Sequence, residues 1–226
     1  MNYLLVVAHP DDEVLGAGAS LCKFAERGDN VDVCIMSADA AARAFRPENK
    51  ELSRDTKAAM DFLNIRKTFY GDFPNIQMNT TPHLQLVQFI EKAIVESEAD
   101  VVITHHPADT NNDHIHTSAA CQAAIRIFQR RQNVKGVKEL WFTEILSSTE
   151  WSLDSSSNAF SPNLFIEVGK KNVEKKIEAL SLYRGVMRDY PHPRSREAME
   201  GLAAYRGAQS GCNYAEAFEC VFRRVL

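Results

Sequence analysis

A single α/β domain spanning residues 1–226, with a mostly parallel, Rossmann-like sheet and helices on both faces, is predicted by three features of the sequence. The short runs 4–8, 31–36 and 101–104 are apolar but for Asp32 and Thr104, as in strands buried on both sides. Segments of helical periodicity separate them, and strands alternating with helices build parallel sheets. No linker-like composition and no internal repeat divides the chain.

Composition narrows the function. With 45% hydrophobic and 25% charged residues, the 226-residue chain fits a soluble globular protein with a substantial core. A net charge of -4 argues against nucleic acid or an anionic membrane surface as partner. No apolar stretch is long enough to span a bilayer, and the N-terminus enters a strand without the basic region of a signal peptide. The five cysteines, Cys22, Cys34, Cys121, Cys212 and Cys220, form no C-x-x-C pair. Reduced thiols and a cytoplasmic location are the expectation.

Taken in order, the first strand stops at Pro10, which has no N–H to give a ladder. Residues 15–27 follow as a helix with Leu15, Ala19, Cys22 and Ala25 on one face, closed by Gly28. After the strand at 31–36, residues 40–50 are charged and arginine-rich and read as a loop over the site. Residues 52–63 form a helix burying Leu52, Ala59 or Met60, and Leu63. A short strand at 68–70 enters the turn Gly71-Asp72-Phe73-Pro74-Asn75. Leu84, Val87, Ile90 and Ile94 make the stripe of a helix over 84–96, ahead of the strand at 101–104. A helix over 118–130, a strand over 140–146 and a polar loop over 147–160 come next, with Trp151 exposed in that loop. A strand over 164–168 and helices over 173–183 and 195–206 complete the chain.

The chemistry gathers in two strand-to-helix turns. The first strand delivers His9-Pro10-Asp11-Asp12-Glu13 to the carboxyl edge of the sheet, where ligands bind in parallel α/β folds. Adjacent carboxylates repel, and a divalent cation beside His9 relieves that repulsion. Asp at a helix start is equally an ordinary N-cap. The second turn follows the strand at 101–104 and opens on the same edge: it runs His105-His106-Pro107-Ala108-Asp109-Thr110-Asn111-Asn112-Asp113-His114-Ile115-His116. His9, Asp12 and one histidine of this turn make two imidazoles and a carboxylate with positions left for water and substrate, the pattern of a catalytic zinc. Asp11 is then available as general base on water acidified by the metal. His105 and His106 read as walls of the site, and Asp109 and Asp113 as carboxylates that orient an imidazole. Nucleotide binding at Gly16-x-Gly18 is the weaker reading, because the third glycine is missing and the acids repel a pyrophosphate.

His9-Pro10-Asp11-Asp12-Glu13 after an apolar strand, with a later Asp-His following His-Pro-x-Asp, resembles the zinc-dependent N-acetylglucosaminyl deacetylase family, LmbE-like or PIG-L-like. Gly71-Asp72-Phe73-Pro74-Asn75, Ser147-Ser148-Thr149-Glu150-Trp151, His192-Pro193-Arg194-Ser195 and Tyr214-Ala215-Glu216-Ala217-Phe218 are similar to one bacterial branch of it. The resemblance implies Zn2+ held by His9, Asp12 and His114, rather than His116, with Asp11 as base. It also implies a small N-acetylated sugar conjugate as substrate, losing acetyl from a 2-acetamido group.

One departure matters. The family's second motif usually reads His-x-x-His, and Asn111 stands at its first position. Asn111 can donate a hydrogen bond to an oxyanion but carries no proton. His192 is the candidate acid, in Tyr190-Pro191-His192-Pro193-Arg194, where prolines are expected to hold the chain extended. It would be presented from its own chain or across a homo-oligomer contact. Arg43, Arg46 and Arg54 lie in or near the loop over the site. Arg54, Asp72 and Trp151 are the candidate substrate contacts, Trp151 as a stacking face. The rival function is a catalytically silent, metal-containing sugar-binding module, against which the intact Asp11 weighs.

Overall fold

A computed structural model of the chain describes residues 1–38, 48–153 and 159–225. Five strands run parallel: β1 (Asn2–Val7), β2 (Asn30–Ile35), β3 (Lys67–Tyr70), β4 (Val101–His105) and β5 (Glu139–Thr143). With β6 (Leu164–Glu167) and β7 (Ala215–Arg223) they form one sheet in the order β3-β2-β1-β4-β5-β7-β6, and β7 is antiparallel to both neighbours. Helices α1 (Asp12–Glu26), α2 (Asn49–Phe62), α5 (Gly169–Ser181) and α6 (Arg196–Ser210) pack on one face, α3 (His83–Ser97) and α4 (Asn112–Ala124) on the other. This is the predicted single-domain α/β architecture. Among the described residues no helix is long and apolar enough to cross a membrane.

Double coverage explains the strand pattern. Leu5 and Val7 of β1 point into one core layer and Leu4 and Val6 into the other, all fully buried. The chain leaves β1 for β2 on one side, while β4 lies on the other. That reversal opens a crevice at the carboxyl ends of β1 and β4, where both charged turns emerge.

Several elements differ from expectation. α4 starts at Asn112 rather than 118, because the Asn111 side chain caps it by accepting the Asp113 N–H. In α3, Leu86 rather than Leu84 joins Val87, Ile90 and Ile94 in the core; Leu84, in the first turn, is exposed. β7 was not predicted, since Glu216, Glu219 and Arg223 interrupt its apolar pattern. Glu216 is structural. It accepts the N–H groups of Ala19 and Ser20 and pairs with Lys176 Nζ at 2.6 Å, tying β7 to α1 and α5. The predicted loop over the site lies outside the described residues through position 47, and Lys50 already belongs to α2.

Gly16 serves packing. A Cβ there would stand 2.7 Å from Ile145 Cδ1 and 2.9 Å from Thr143 Cγ2, and Thr143 Oγ1 donates to Gly16 O at 2.7 Å. Gly16→Ala gains up to about 1 kcal/mol of helix propensity, but overpacking costs roughly 1–3 kcal/mol. We expect a net destabilisation, read as a lower midpoint of thermal unfolding; an unchanged or raised midpoint contradicts the close approach.

Candidate active site

The turns after β1 and β4 bring His9, Asp12 and His114 together, with one potential ligand atom from each inside 4.8 Å of the others. All three are buried. His9 Nδ1 lies 3.4 Å and His114 Nε2 3.2 Å from Asp12 Oδ2. At zinc–ligand bonds of about 2.0–2.2 Å, tetrahedral ligand atoms stand about 3.4 Å apart, so the separations suit an ion of that size. Both ring nitrogens of His114 are buried and neither completes a hydrogen bond of good geometry, so Nε2, 3.2 Å from Asp12 Oδ2, is open to a metal ion.

Carboxylates hold the outer edge of each ring. His9 Nε2 donates to Asp113 Oδ2 at 3.0 Å, which leaves Nδ1 to face Asp12. Asp113 is fixed in turn by the N–H groups of Ile76 and Met78. His114 Nδ1 lies 3.2 Å from Asp109 Oδ2. Asp109 also accepts from Ser148 Oγ, Thr149 Oγ1 and the Asn111 N–H. Burial opposes a charge on His114, yet Asp12 and Asp109 on either side lift it to about 10. Positive charge is what this cluster calls for. The donor set of two imidazoles and one carboxylate fits a divalent metal.

His105 does not line the cavity but packs behind His114. Its ring stacks on His114 with centroids 3.8 Å apart, and its Nε2 accepts the Ala8 N–H at 2.8 Å. Burial and the neighbouring His114 push it down to about 3, so it is neutral.

Asp11 stands outside the cluster with φ 95°, in the left-handed region. For a non-glycine residue that conformation costs on the order of 1–3 kcal/mol. Glu13 Oε2 accepts the Asp11 N–H at 3.1 Å, and Tyr183 OH donates to Glu13 Oε1 at 2.6 Å, so a buried network supports the turn. Burial, opposed by the Tyr183 hydroxyl and reinforced by Asp11, lifts Glu13 to about 8. Arg194 Nη1 donates to Asp11 Oδ2 at 3.3 Å.

His9, Asp11, Asp12, Asn111 and His114 line one cavity of about 240 Å³, with Asn75, Ile76, Ser147, Ser148, Gly185, Val186, Arg188 and Arg194. The predicted substrate contacts are not among them. Arg54 is exposed on α2, Asp72 is exposed beside its bridge to Ser37, and Trp151 is 57% exposed. Arg43 and Arg46 lie outside the described residues. The neighbours of two of these do reach the cavity: Asn75 and Ile76 from the turn after β3, and Ser147 and Ser148 from the turn after β5. Both turns sit at the carboxyl edge, and Asn75, Ser147 and Ser148 belong to the motifs that resemble the family, the two signals that point to them.

His192 is also displaced. It is exposed, does not line the cavity, and its Nδ1 accepts the Arg194 N–H at 3.0 Å. The segment is folded rather than extended: the His192 N–H donates to Asp189 O and the Ser195 N–H to His192 O. Those turns carry Arg194 into the cavity and leave His192 outside it.

A family described as PIG-L, GlcNAc-PI de-N-acetylase, matches residues 4–125, which include every residue of the His-Asp-His cluster. The chain belongs to that family. "Uncharacterized deacetylase YaiS" of Escherichia coli (strain K12) is 30% identical over 131 residues, 54% of this chain and 67% of that protein. Among solved structures, the N,N'-diacetylchitobiose deacetylase of Pyrococcus horikoshii superposes with a TM-score of 0.76 at 15% identity, covering 96% of this chain and 83% of that one. GalB of Pseudomonas putida KT2440, a 4-carboxy-2-hydroxymuconate hydratase, superposes with a TM-score of 0.77 at 20% identity, covering 100% and 98%. At such identities these two likenesses concern the fold.

Proposed function

We propose that this PIG-L family member is a zinc-dependent hydrolase that removes the acetyl group from a 2-acetamido sugar. The observation that carries the reading is the Asp11 carboxylate beside the His9, Asp12 and His114 set in one small cavity. Zinc held by these three residues supplies Lewis acidity at the acetyl carbonyl and makes water nucleophilic near neutral pH.

The chain's own groups divide the work. The Asp11 carboxylate takes a proton from the attacking water as the C–O bond forms. It returns that proton to the sugar nitrogen as the C–N bond breaks, leaving acetate and a free amine. Base and acid are then one residue, and no imidazole is needed at position 111 or 192. Asn111 has its Oδ1 tied to the Asp113 N–H, so its Nδ2 is the donor for the developing oxyanion. Asp113 and Asp109 keep the imidazoles of His9 and His114 in the orientation binding requires.

Supporting the reading are the family membership, the name of the Escherichia coli relative and the fold shared with the chitobiose deacetylase. A catalytically silent sugar-binding module would keep the same three metal-binding side chains, but it has no use for a carboxylate held in a strained turn beside them. The test is to strip the protein with a chelator, reload it with zinc, and follow acetate and free amine from N-acetylglucosamine derivatives. We expect turnover in the zinc-loaded protein, loss on stripping and recovery on reloading. Stoichiometric zinc binding with no acetate from any derivative would favour the silent module. An acetate readout also separates amide hydrolysis from the hydratase chemistry named for GalB.

A further inference from the structure

Arg188 and Arg194 line the same cavity as the His-Asp-His cluster, and the chemistry above gives Arg188 no role. Their placement is built by the main chain. The Arg188 N–H donates to Arg194 O at 3.3 Å, closing the turn over 189–193 so that both side chains issue from its base. Arg194 is part-buried and held at two atoms, Nε donating to Ser147 Oγ at 2.8 Å and Nη1 to Asp11 Oδ2 at 3.3 Å. Its Nη2 has no protein acceptor among the described residues. Arg188 Nη1 donates to the carbonyls of Gly185 and Met187.

Charge then decides what such a wall prefers. Among the described residues, the acids lining the cavity are Asp11 and Asp12, and Asp12 belongs to the cation-binding set. With a dication bound, the described lining presents two guanidinium groups and one further carboxylate, an arrangement that favours an anionic ligand. Guanidinium groups recognise phosphate and carboxylate through paired N–H donors, and groups already held in place lose little freedom on binding. Size limits where the anion can sit. At about 240 Å³ the cavity takes little more than one sugar ring, so its two guanidinium groups are placed to meet an anion carried on the ring bearing the acetamido group.

We propose that Arg188 and Arg194 form an anion subsite and that the substrate is a 2-acetamido sugar bearing a phosphate or carboxylate on the same ring. This rests on the deacetylase reading given above. The test compares kcat/KM of the zinc-loaded protein for N-acetylglucosamine, its 1-phosphate, its 6-phosphate and the corresponding uronic acid. At least one anionic sugar should exceed the neutral one by about 10- to 100-fold, the worth of one charge-assisted hydrogen bond. The arm that responds identifies the group as phosphate or carboxylate. Arg188→Ala and Arg194→Lys should each lower that ratio about tenfold or more. Arg131→Ala, at an exposed arginine outside the cavity, should leave it unchanged.

Calorimetry with glucosamine, glucosamine 1-phosphate, glucosamine 6-phosphate and glucosaminuronic acid reads the subsite without turnover. Tighter binding of an anionic sugar, weakened by Arg188→Ala, with no acetate release supports the subsite and overturns the deacetylase reading. Acetate release without charge preference, or with a preference that neither arginine variant lowers, overturns the subsite and leaves that reading standing. Neither acetate release nor charge preference overturns both.

Discussion

Asp11→Asn should keep stoichiometric zinc and lose turnover by on the order of 10² to 10⁴, the usual contribution of a general base. Three features of the site lead to that result. The three potential ligand atoms come from His9, Asp12 and His114, without Asp11. The residue sits at φ 95°, and Asn tolerates the left-handed region as readily as Asp, so the substitution leaves the turn intact. What changes is chemical: an amide oxygen does not accept the proton of water, and the hydrogen bond to Arg194 loses its charge. Metal analysis alongside steady-state kinetics separates the roles. Zinc lost together with turnover would make Asp11 a ligand. His192→Ala, at an exposed ring outside the cavity, should keep wild-type turnover; a loss comparable to that of Asp11→Asn would return the proton-donor role to His192.

The residues that the sequence makes legible are those whose environment is set locally or by a simple layer rule. The runs 4–8, 31–36 and 101–104 read as strands covered on both faces, and their residues are buried accordingly. His9 to Asp12 were placed at the carboxyl edge because Pro10 ends a buried strand. What strand patterning alone does not say is that β4 lies beside β1, and that adjacency is what joins His114 to His9 and Asp12. The likeness of the two motifs to a known family supplied the pairing. Arg188 was passed over, and Arg194 stood only as a neighbour of His192 in its motif, for a different reason: they reach the cavity through the turn after α5, closed by one main-chain hydrogen bond, which leaves no period or spacing to read. Arg54, Asp72 and Trp151 were chosen for residue type and proximity to the predicted edge, and type alone does not aim a side chain. The strained turn at Asp11 was likewise invisible, since it depends on Tyr183, 170 residues away from Glu13 in the chain.

His114→Ala should abolish stoichiometric zinc binding and turnover, whereas His116→Ala should retain both. The helix start decides between the two imidazoles. α4 begins at Asn112 under the Asn111 cap, and at 3.6 residues per turn positions 114 and 116 point about 200° apart. His114 is thereby turned inward, 2% exposed, stacked on His105 and 3.2 Å from Asp12 Oδ2. His116 is part-exposed and lines no part of the cavity. Loss of a carboxylate that orients a metal-binding histidine already costs about 10–100-fold in affinity. Removing the imidazole itself should exceed that, because His9 and Asp12 remain as the only two donors of the cluster among the described residues. Asp12 and Asp109, the buried carboxylates on either side of His114, also lose the group between them. The apo form of His114→Ala should therefore be less stable than apo wild type at neutral pH, a loss relieved as acid protonates these carboxylates. Zinc titration of each variant, with thermal unfolding of the apo forms to confirm folding, provides the measurement. Zinc retained by His114→Ala and lost by His116→Ala would shift the ligand register by two residues.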